Sequence, residues 1–226
     1  METKKYKLLK KNFIEVDGRK LYRVKRLSDG LIGGYIESEK NLSHEGSCFV
    51  HDDAKVYDDA KVYDDAFVHG NAKVYGGALV CGNARVHDDA KVYDDAFVYG
   101  NAKVYGGALV CGNAQVHGNA FVYGNAFVHG NARVHGNARV HGNAFVYGGI
   151  ILCKDVAVSS VEDFMIISPL GSRNSALTIV KGQDFVATGC FSGTKKEFLK
   201  KVKETHGNNK HAKKYRAVIK FAFTNF

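Results

Sequence analysis

The sequence predicts a mainly β protein: a parallel β-helix of about six to seven coils, with a small N-terminal β cap and a small C-terminal α+β domain. Two observations carry the helix. Seventeen valines stand six residues apart from Val50 to Val146, and Leu152 and Val158 keep the same register. Alanine fills the fourth position after each valine from Ala54 to Ala144, which gives the unit V-[YHC]-[DG]-[DNG]-A-x. A six-residue period fits neither an α-helix nor a flat strand, but it does fit a short strand followed by a corner. The branched valine fills the interior, and only a small side chain fits where alanine sits. The Asp-Asp, Gly-Asn and Gly-Gly pairs fall at the corner, where left-handed backbone angles cost these residues least.

The aspartates set the length of a coil. Asp pairs begin at Asp52, Asp58, Asp64, Asp88 and Asp94. A step of 18 residues from any of them lands on Gly-Asn or Gly-Gly, whereas a step of 12 or 24 puts one Asp pair on another. Like charges about 4.8 Å apart destabilise a sheet, so an eighteen-residue coil of three hexads is expected. The prism is then about 29 Å long for six coils.

Three segments follow. Residues 1–35 form the cap, with Phe13–Val16 and Arg19–Arg26 flanking an Asp17-Gly18 hairpin turn. Residues 36–158 form the β-helix. Its first coil, through Ile36, Leu42 and Val50, carries a two-residue insertion, as suits a terminal repeat. Residues 159–226 form the α+β domain. Ala176–Val180 and Phe185–Gly189 make a hairpin across Lys181-Gly182. Helices follow at about Thr194–Thr205 and His211–Phe223, separated by Gly207-Asn208-Asn209.

The V-x-x-x-A spacing over roughly residues 31–158 resembles the bacterial transferase hexapeptide-repeat superfamily. That resemblance implies a left-handed β-helix with three hexads per coil, and a trimer. The run Asp29-Gly30-Leu31-Ile32-Gly33-Gly34-Tyr35-Ile36-Glu37-Ser38 looks like an enterobacterial and prophage branch of that superfamily. Gly171-Ser172-Arg173-Asn174, Gly189-Cys190-Phe191-Ser192-Gly193-Thr194 and Thr205-His206-Gly207 are similar to a tail domain of phage-encoded proteins, which implies a phage or prophage origin. Acyltransferases of the superfamily use a histidine as general base between subunits, beside loops that wall an acyl-CoA site. Here seven histidines (His51, His69, His87, His117, His129, His135 and His141) occupy the outward position after valine. Tyrosine and cysteine alternate with them there, and the unbroken hexads leave no room for a loop. No catalytic residue and no cofactor is therefore assigned, and acyl transfer is the competing reading.

Composition fits a cytoplasmic protein with reduced thiols. No stretch is long enough to span a membrane, and residues 1–11 are basic without an apolar signal core. The five cysteines are scattered, and Cys81 and Cys111 fall on different faces. The net charge of +9 is concentrated: residues 1–26 and 195–220 each hold ten Lys or Arg. Nucleic-acid binding through these ends is a third reading, weakened by the few aromatics on the exposed side of the first helix.

Three groups of residues are candidate sites. Leu109, Phe127 and Phe145 fall on one face and form an apolar row suited to a homo-oligomer interface. In the C-terminal domain, Ser192, Gly193 and Thr194 precede a helix and can cradle an anion, with Arg173 as a fork of donors and His206 titrating near neutrality. The competing assignment for Thr194 is a capping box with Glu197. Cys190 reads as a small buried residue. The rows His51/His69/His87 and Tyr57/Tyr75/Tyr93 read as packing rather than as metal or base sites, and no metal is assigned.

Residues 58–87 and 88–117 match at 28 of 30 positions, differing at His69/Tyr99 and Arg85/Gln115. Thirty residues are five hexads, not a whole number of coils, so the duplication moves each side chain to another face. It lengthens a scaffold without copying a site. The expected function is therefore a non-catalytic, oligomeric scaffold whose C-terminal domain binds a host protein or an anionic, nucleotide-like ligand, in a role of interference or sequestration.

Overall fold

The computed structural model describes residues 4–226. Nineteen two-residue strands, β4–β22, run from Phe49–Val50 to Ala157–Val158, one per hexad. They stack into three parallel sheets in which each strand pairs with the strand three places on, so Val74 lies over Val56 and Val92 over Val74. The coil is thus eighteen residues long, as the aspartates require, and the prism has about seven turns.

The core is a column of the two periodic residues. All seventeen valines and the intervening alanines are buried at 0–1% exposure. Backbone ladders join the rungs: Lys73 N–H donates to Ala90 O at 2.9 Å and Tyr75 N–H to Val92 O at 3.0 Å. Each corner turns through one residue at positive φ, between 51° and 72° from Asp52 to Gly148. Where that residue is aspartate, its carboxylate accepts the amide of the glycine one rung on. Asp52 takes Gly70 N–H at 3.0 Å, and Asp88 takes Gly106 N–H at 3.1 Å. The glycine is needed there, because a Cβ on Gly76 would come within 2.8 Å of the Asp94 backbone nitrogen. Aspartate over glycine therefore gains a hydrogen bond as well as avoiding repulsion. The second corner residues form amide ladders, with Asn101 donating to Asn119 and Asn119 to Asn137.

Three antiparallel-to-parallel strands open the prism: β1 (Tyr6–Val16), β2 (Arg19–Arg26) and β3 (Ile32–Ile36). The β1–β2 hairpin turns at Asp17-Gly18 as the sequence predicts, but β1 begins seven residues earlier than Phe13. An irregularity between Leu9 and Phe13 shifts its register and hides the alternation. β3 joins the cap to the prism in one sheet, with Ile36 opposite Val56 and Leu42 bridging Val62. Both steps span twenty residues, while Val50 to Val68 spans eighteen. This locates the expected two-residue insertion between Leu42 and Val50. The buried Asn41 amide supplies the absent rung by donating to Asp58 O and Ala60 O, each at 2.9 Å.

The far end is closed by a four-stranded antiparallel sheet, β23 (Phe164–Leu170), β24 (Ser175–Val180), β25 (Phe185–Thr188) and β26 (Phe191–Gly193). The predicted hairpin is β24–β25. The two further strands lie at the edges, where β23 tolerates Pro169. One sheet face sends Val180, Phe185 and Ala187 into the prism core, and the other packs Leu177, Ile179 and Val186 against helices α1 (Lys195–His206) and α2 (Lys210–Asn225). The Gln183 side chain completes the last coil, donating to Ala157 O at 2.7 Å and accepting from Ala157 N–H at 3.2 Å.

Removing residues 88–117 keeps the hexad register, so a folded, shorter prism is expected. Removing three residues within that stretch puts every following valine and alanine out of register, with valine falling on the second corner position, and loss of the cooperative transition is expected in circular dichroism and thermal melting. A smaller change, Ala96→Leu, forces extra methylenes into a filled column and is expected to cost roughly 1–3 kcal/mol in a denaturant titration.

Candidate functional site

A cleft of about 250 Å³ opens in the C-terminal domain between the sheet turns and the two helices. Arg173 reaches it from the β23–β24 turn, Cys190 from the β25–β26 turn, Lys201 and His206 from α1, and Tyr215 from α2. Phe191, Phe198, Val202 and Tyr215 give an apolar floor, while Ser172, Ser175, Thr188 and Thr205 bring hydroxyls. The α1 contribution (Phe198, Lys201, Val202, Thr205, His206) follows the three-and-four spacing of one helix face. Among the described residues no carboxylate lines the cleft; of its three basic side chains, Lys201 alone has a carboxylate nearby, Glu204 at 3.8 Å outside the lining.

Tyr215 is the floor's keystone. Its ring meets Phe198 edge-on at 5.4 Å and stacks with His206 at 5.8 Å. Burial raises its hydroxyl pKa, and the positive charge of Arg173 opposes that rise. Gly171, at φ +76°, lets the ring approach the turn that carries Arg173: a Cβ there would fall 1.8 Å from the Tyr215 hydroxyl.

Of the candidate residues, Arg173 and His206 do share this cleft. Ser192, Gly193 and Thr194 do not line it. Their surroundings also differ from an anion cradle. Thr194 forms the capping box: its hydroxyl accepts from Glu197 N–H at 3.2 Å, and its own N–H donates to Glu197 Oε2 at 2.7 Å. Asp184 accepts Lys195 N–H at 2.7 Å. Two carboxylates thus occupy the helix N-terminus where an incoming anion would sit, and the hydrogen bonds from Thr194 lower the Glu197 pKa from its ordinary value. Cys190, expected to be buried, is exposed at the cleft rim, while the other four cysteines are buried and all five are free. The sequence reading missed Lys201, Tyr215 and the phenylalanine floor. The one available signal was the inward spacing of Phe198 and Val202 beside His206.

On the prism, Leu109, Phe127 and Phe145 stack in a single row as their spacing predicts. Phe127 meets Phe145 edge-on at 5.1 Å, and Phe145 and Tyr147 are 37% and 43% exposed. The other rows pack as ladders. Tyr57, Tyr75 and Tyr93 stack at 5.1 Å within 5° of parallel, and His117 lies over His135 at 4.9 Å. Burial lowers the pKa of both His117 and His135, aided by Arg133. Among the described residues no group of three His, Cys, Asp or Glu is placed to hold a metal ion. Among the described residues no helix is long and apolar enough to cross a membrane. Strands and corners alternate without an extruded loop from Phe49 to Val158.

A second, larger pocket of about 680 Å³ lies at the first-coil insertion, lined by Glu39, His44, Lys61 and Tyr63 among others. Two carboxylates, Glu39 and Glu45, stand in its lining, and Glu39 pairs with Lys4 at 2.8 Å and lies 3.6 Å from His44. The smaller cleft, with cations and no acid, is the stronger candidate.

A search of curated proteins finds no match to the chain. The sequence profile of the YdcK β-solenoid repeat matches residues 96–112 and 120–136, within the regular part of the prism. These two stretches are thus similar to a β-solenoid repeat, in agreement with the parallel coils of the prism.

The histidine ladder predicts an acid sensitivity. A histidine whose folded pKa is depressed is neutral in the fold and binds its proton more readily when unfolded. Stability is thus full above about pH 6.5 and falls as pH drops through that value. His117→Tyr with His135→Tyr, which extends the stack begun by Tyr99, is expected to flatten the melting temperature between about pH 7.5 and 5.

Proposed function

We propose that the protein is a non-catalytic β-solenoid scaffold whose C-terminal domain captures a small organic anion in the Arg173 cleft. One observation carries this reading: Arg173, Lys201 and His206 converge over an aromatic floor with no carboxylate in the lining. A guanidinium fork suits a phosphate or carboxylate, and the flat floor suits a ring, so an aromatic or nucleotide-like monoanion or dianion fits the chemistry. The prism supplies length and copies of the domain through oligomerisation. A trimer is favoured by the resemblance to the hexapeptide superfamily, with the Leu109, Phe127 and Phe145 row at the interface. The phage-like motifs Gly171–Asn174 and Gly189–Thr194 line or border the same cleft. They support a cytoplasmic role in which a phage or prophage product sequesters a host ligand or partner.

Calorimetry with mononucleotides, aromatic phosphates and acyl-CoA tests the reading, with acetyl transfer assayed in parallel. Arg173→Ala is expected to weaken binding by about 10- to 100-fold, the worth of a hydrogen bond to a charged group, and affinity is expected to fall as salt rises. Turnover that survives Arg173→Ala but is lost with one prism histidine would establish the acyltransferase instead. In light scattering, Phe127→Asp with Phe145→Asp is expected to dissociate the oligomer.

A further inference from the structure

The two C-terminal helices carry another surface, on the side of α2 away from the cleft. Residues 195–226 hold ten Lys or Arg against two carboxylates, in a chain of net charge +9. Among the described residues only Lys201 of these ten has a carboxylate within 4 Å, Glu204 at 3.8 Å. Tyr215, Ile219 and Ala222 turn inward against the sheet. The opposite face of α2 presents Lys210, Lys213, Lys214, Ala217, Lys220 and Phe221, all exposed, at three-and-four spacing. Lys210 to Lys220 covers about 15 Å of helix axis. Phe221 is 59% exposed, the most exposed large apolar side chain among those described, and it stands at the end of this cationic row.

A row of unpaired ammonium groups calls for a polyanion, and a lone ring within it calls for a flat apolar partner. We propose that this face of α2 binds single-stranded nucleic acid, with Lys210, Lys213, Lys214 and Lys220 on the phosphates and Phe221 stacked on a base. A duplex keeps its bases stacked on one another and leaves none for the ring to stack on. A membrane surface fits less well. The apolar stripe of α2 is already buried against the sheet, which leaves one phenylalanine to insert where an interfacial helix uses a whole apolar face. The small methyl of Ala217 at mid-row leaves room for a backbone to lie close. This surface is independent of the Arg173 cleft, which lies on the Tyr215 side of the same helix.

Fluorescence anisotropy of the full chain with a labelled oligothymidine of about 20 nucleotides tests the assignment. The expected affinity falls linearly with the logarithm of salt concentration. Lys213→Ala with Lys214→Ala is expected to reduce that slope by about 1.4, at about 0.7 per phosphate contact on a single strand. Phe221→Ala is expected to weaken binding roughly tenfold and leave the slope unchanged. Arg173→Ala is expected to leave oligothymidine binding intact, which separates this surface from the cleft. All of these positions are exposed, so each variant is expected to retain its helices, which circular dichroism checks. Three results overturn the proposal: no binding at about 50 mM salt; equal affinity for a duplex with Phe221→Ala neutral; or capture by vesicles of anionic lipid when oligothymidine is ignored.

Discussion

Each hexad must turn its chain through one corner, and every corner needs a residue at positive φ directly above another one. Two consequences follow from that single constraint. The corner residue must be glycine or a short polar residue that tolerates the left-handed region, and consecutive rungs must not place two bulky or two like-charged residues there. The alternation of Asp58 with Gly76 and of Gly76 with Asp94 meets both demands. It also adds a bond, since each carboxylate accepts the amide of the glycine above it. Once the corners are fixed, the strands have length for only two residues, one facing in and one facing out. The inward residue becomes valine and the residue just past the corner becomes alanine, because a column with a triangular cross-section holds little else.

A solenoid built this way has open ends, and this chain closes them with side chains that imitate a rung. Asn41 at one end and Gln183 at the other hydrogen-bond the exposed backbone where a next strand would lie. Apolar closure accompanies them: Tyr6 and Val24 cover the first coil, while Phe164, Val180 and Phe185 cover the last. The C-terminal sheet is therefore a cap on one face and the floor of a separate helical domain on the other. Its alternating residues serve two cores at once, which is why the cleft is held at a fixed place relative to the prism.

Regular parts of the fold were legible because a strict period transmits its meaning at every repeat. The eighteen-residue coil followed from aspartate spacing, and the insertion between Leu42 and Val50 followed from a count. The irregular parts carry no such redundancy. The long first strand is interrupted near Leu9, which breaks the alternation that would announce it. The edge strand Phe164–Leu170 contains a proline. The cleft is assembled from two turns and two helices spread over some 45 residues, so only Arg173 and His206 could be paired from residue chemistry alone. Cys190 was misplaced for a related reason: a cysteine's burial is set by a tertiary neighbour rather than by local pattern. Thr194 shows the reverse case. Its capping box is a local motif, and the local reading of it describes the structure better than the ligand site did.

The near-identical thirty-residue blocks give the prism a particular meaning. Leu79 lies in the six-stranded sheet, and its counterpart Leu109 lies in the nine-stranded sheet beneath Phe127. A binding row copied in this way would be split between faces, whereas the core and the corners are indifferent to which face they serve. The duplication thus preserves everything that makes the solenoid stable and nothing that would make a surface specific. Specificity has to come from residues outside the period, and these are where the chain's charge is gathered: ten basic residues in the first 26 and ten in residues 195–220. In the proposed function the repetitive prism, whose residues 36–158 hold ten basic and fourteen acidic side chains, is a ruler and a platform. The aperiodic C-terminal domain, with basic side chains in a cleft on one side of α2 and a lysine row on the other, is then the part proposed to recognise an anion.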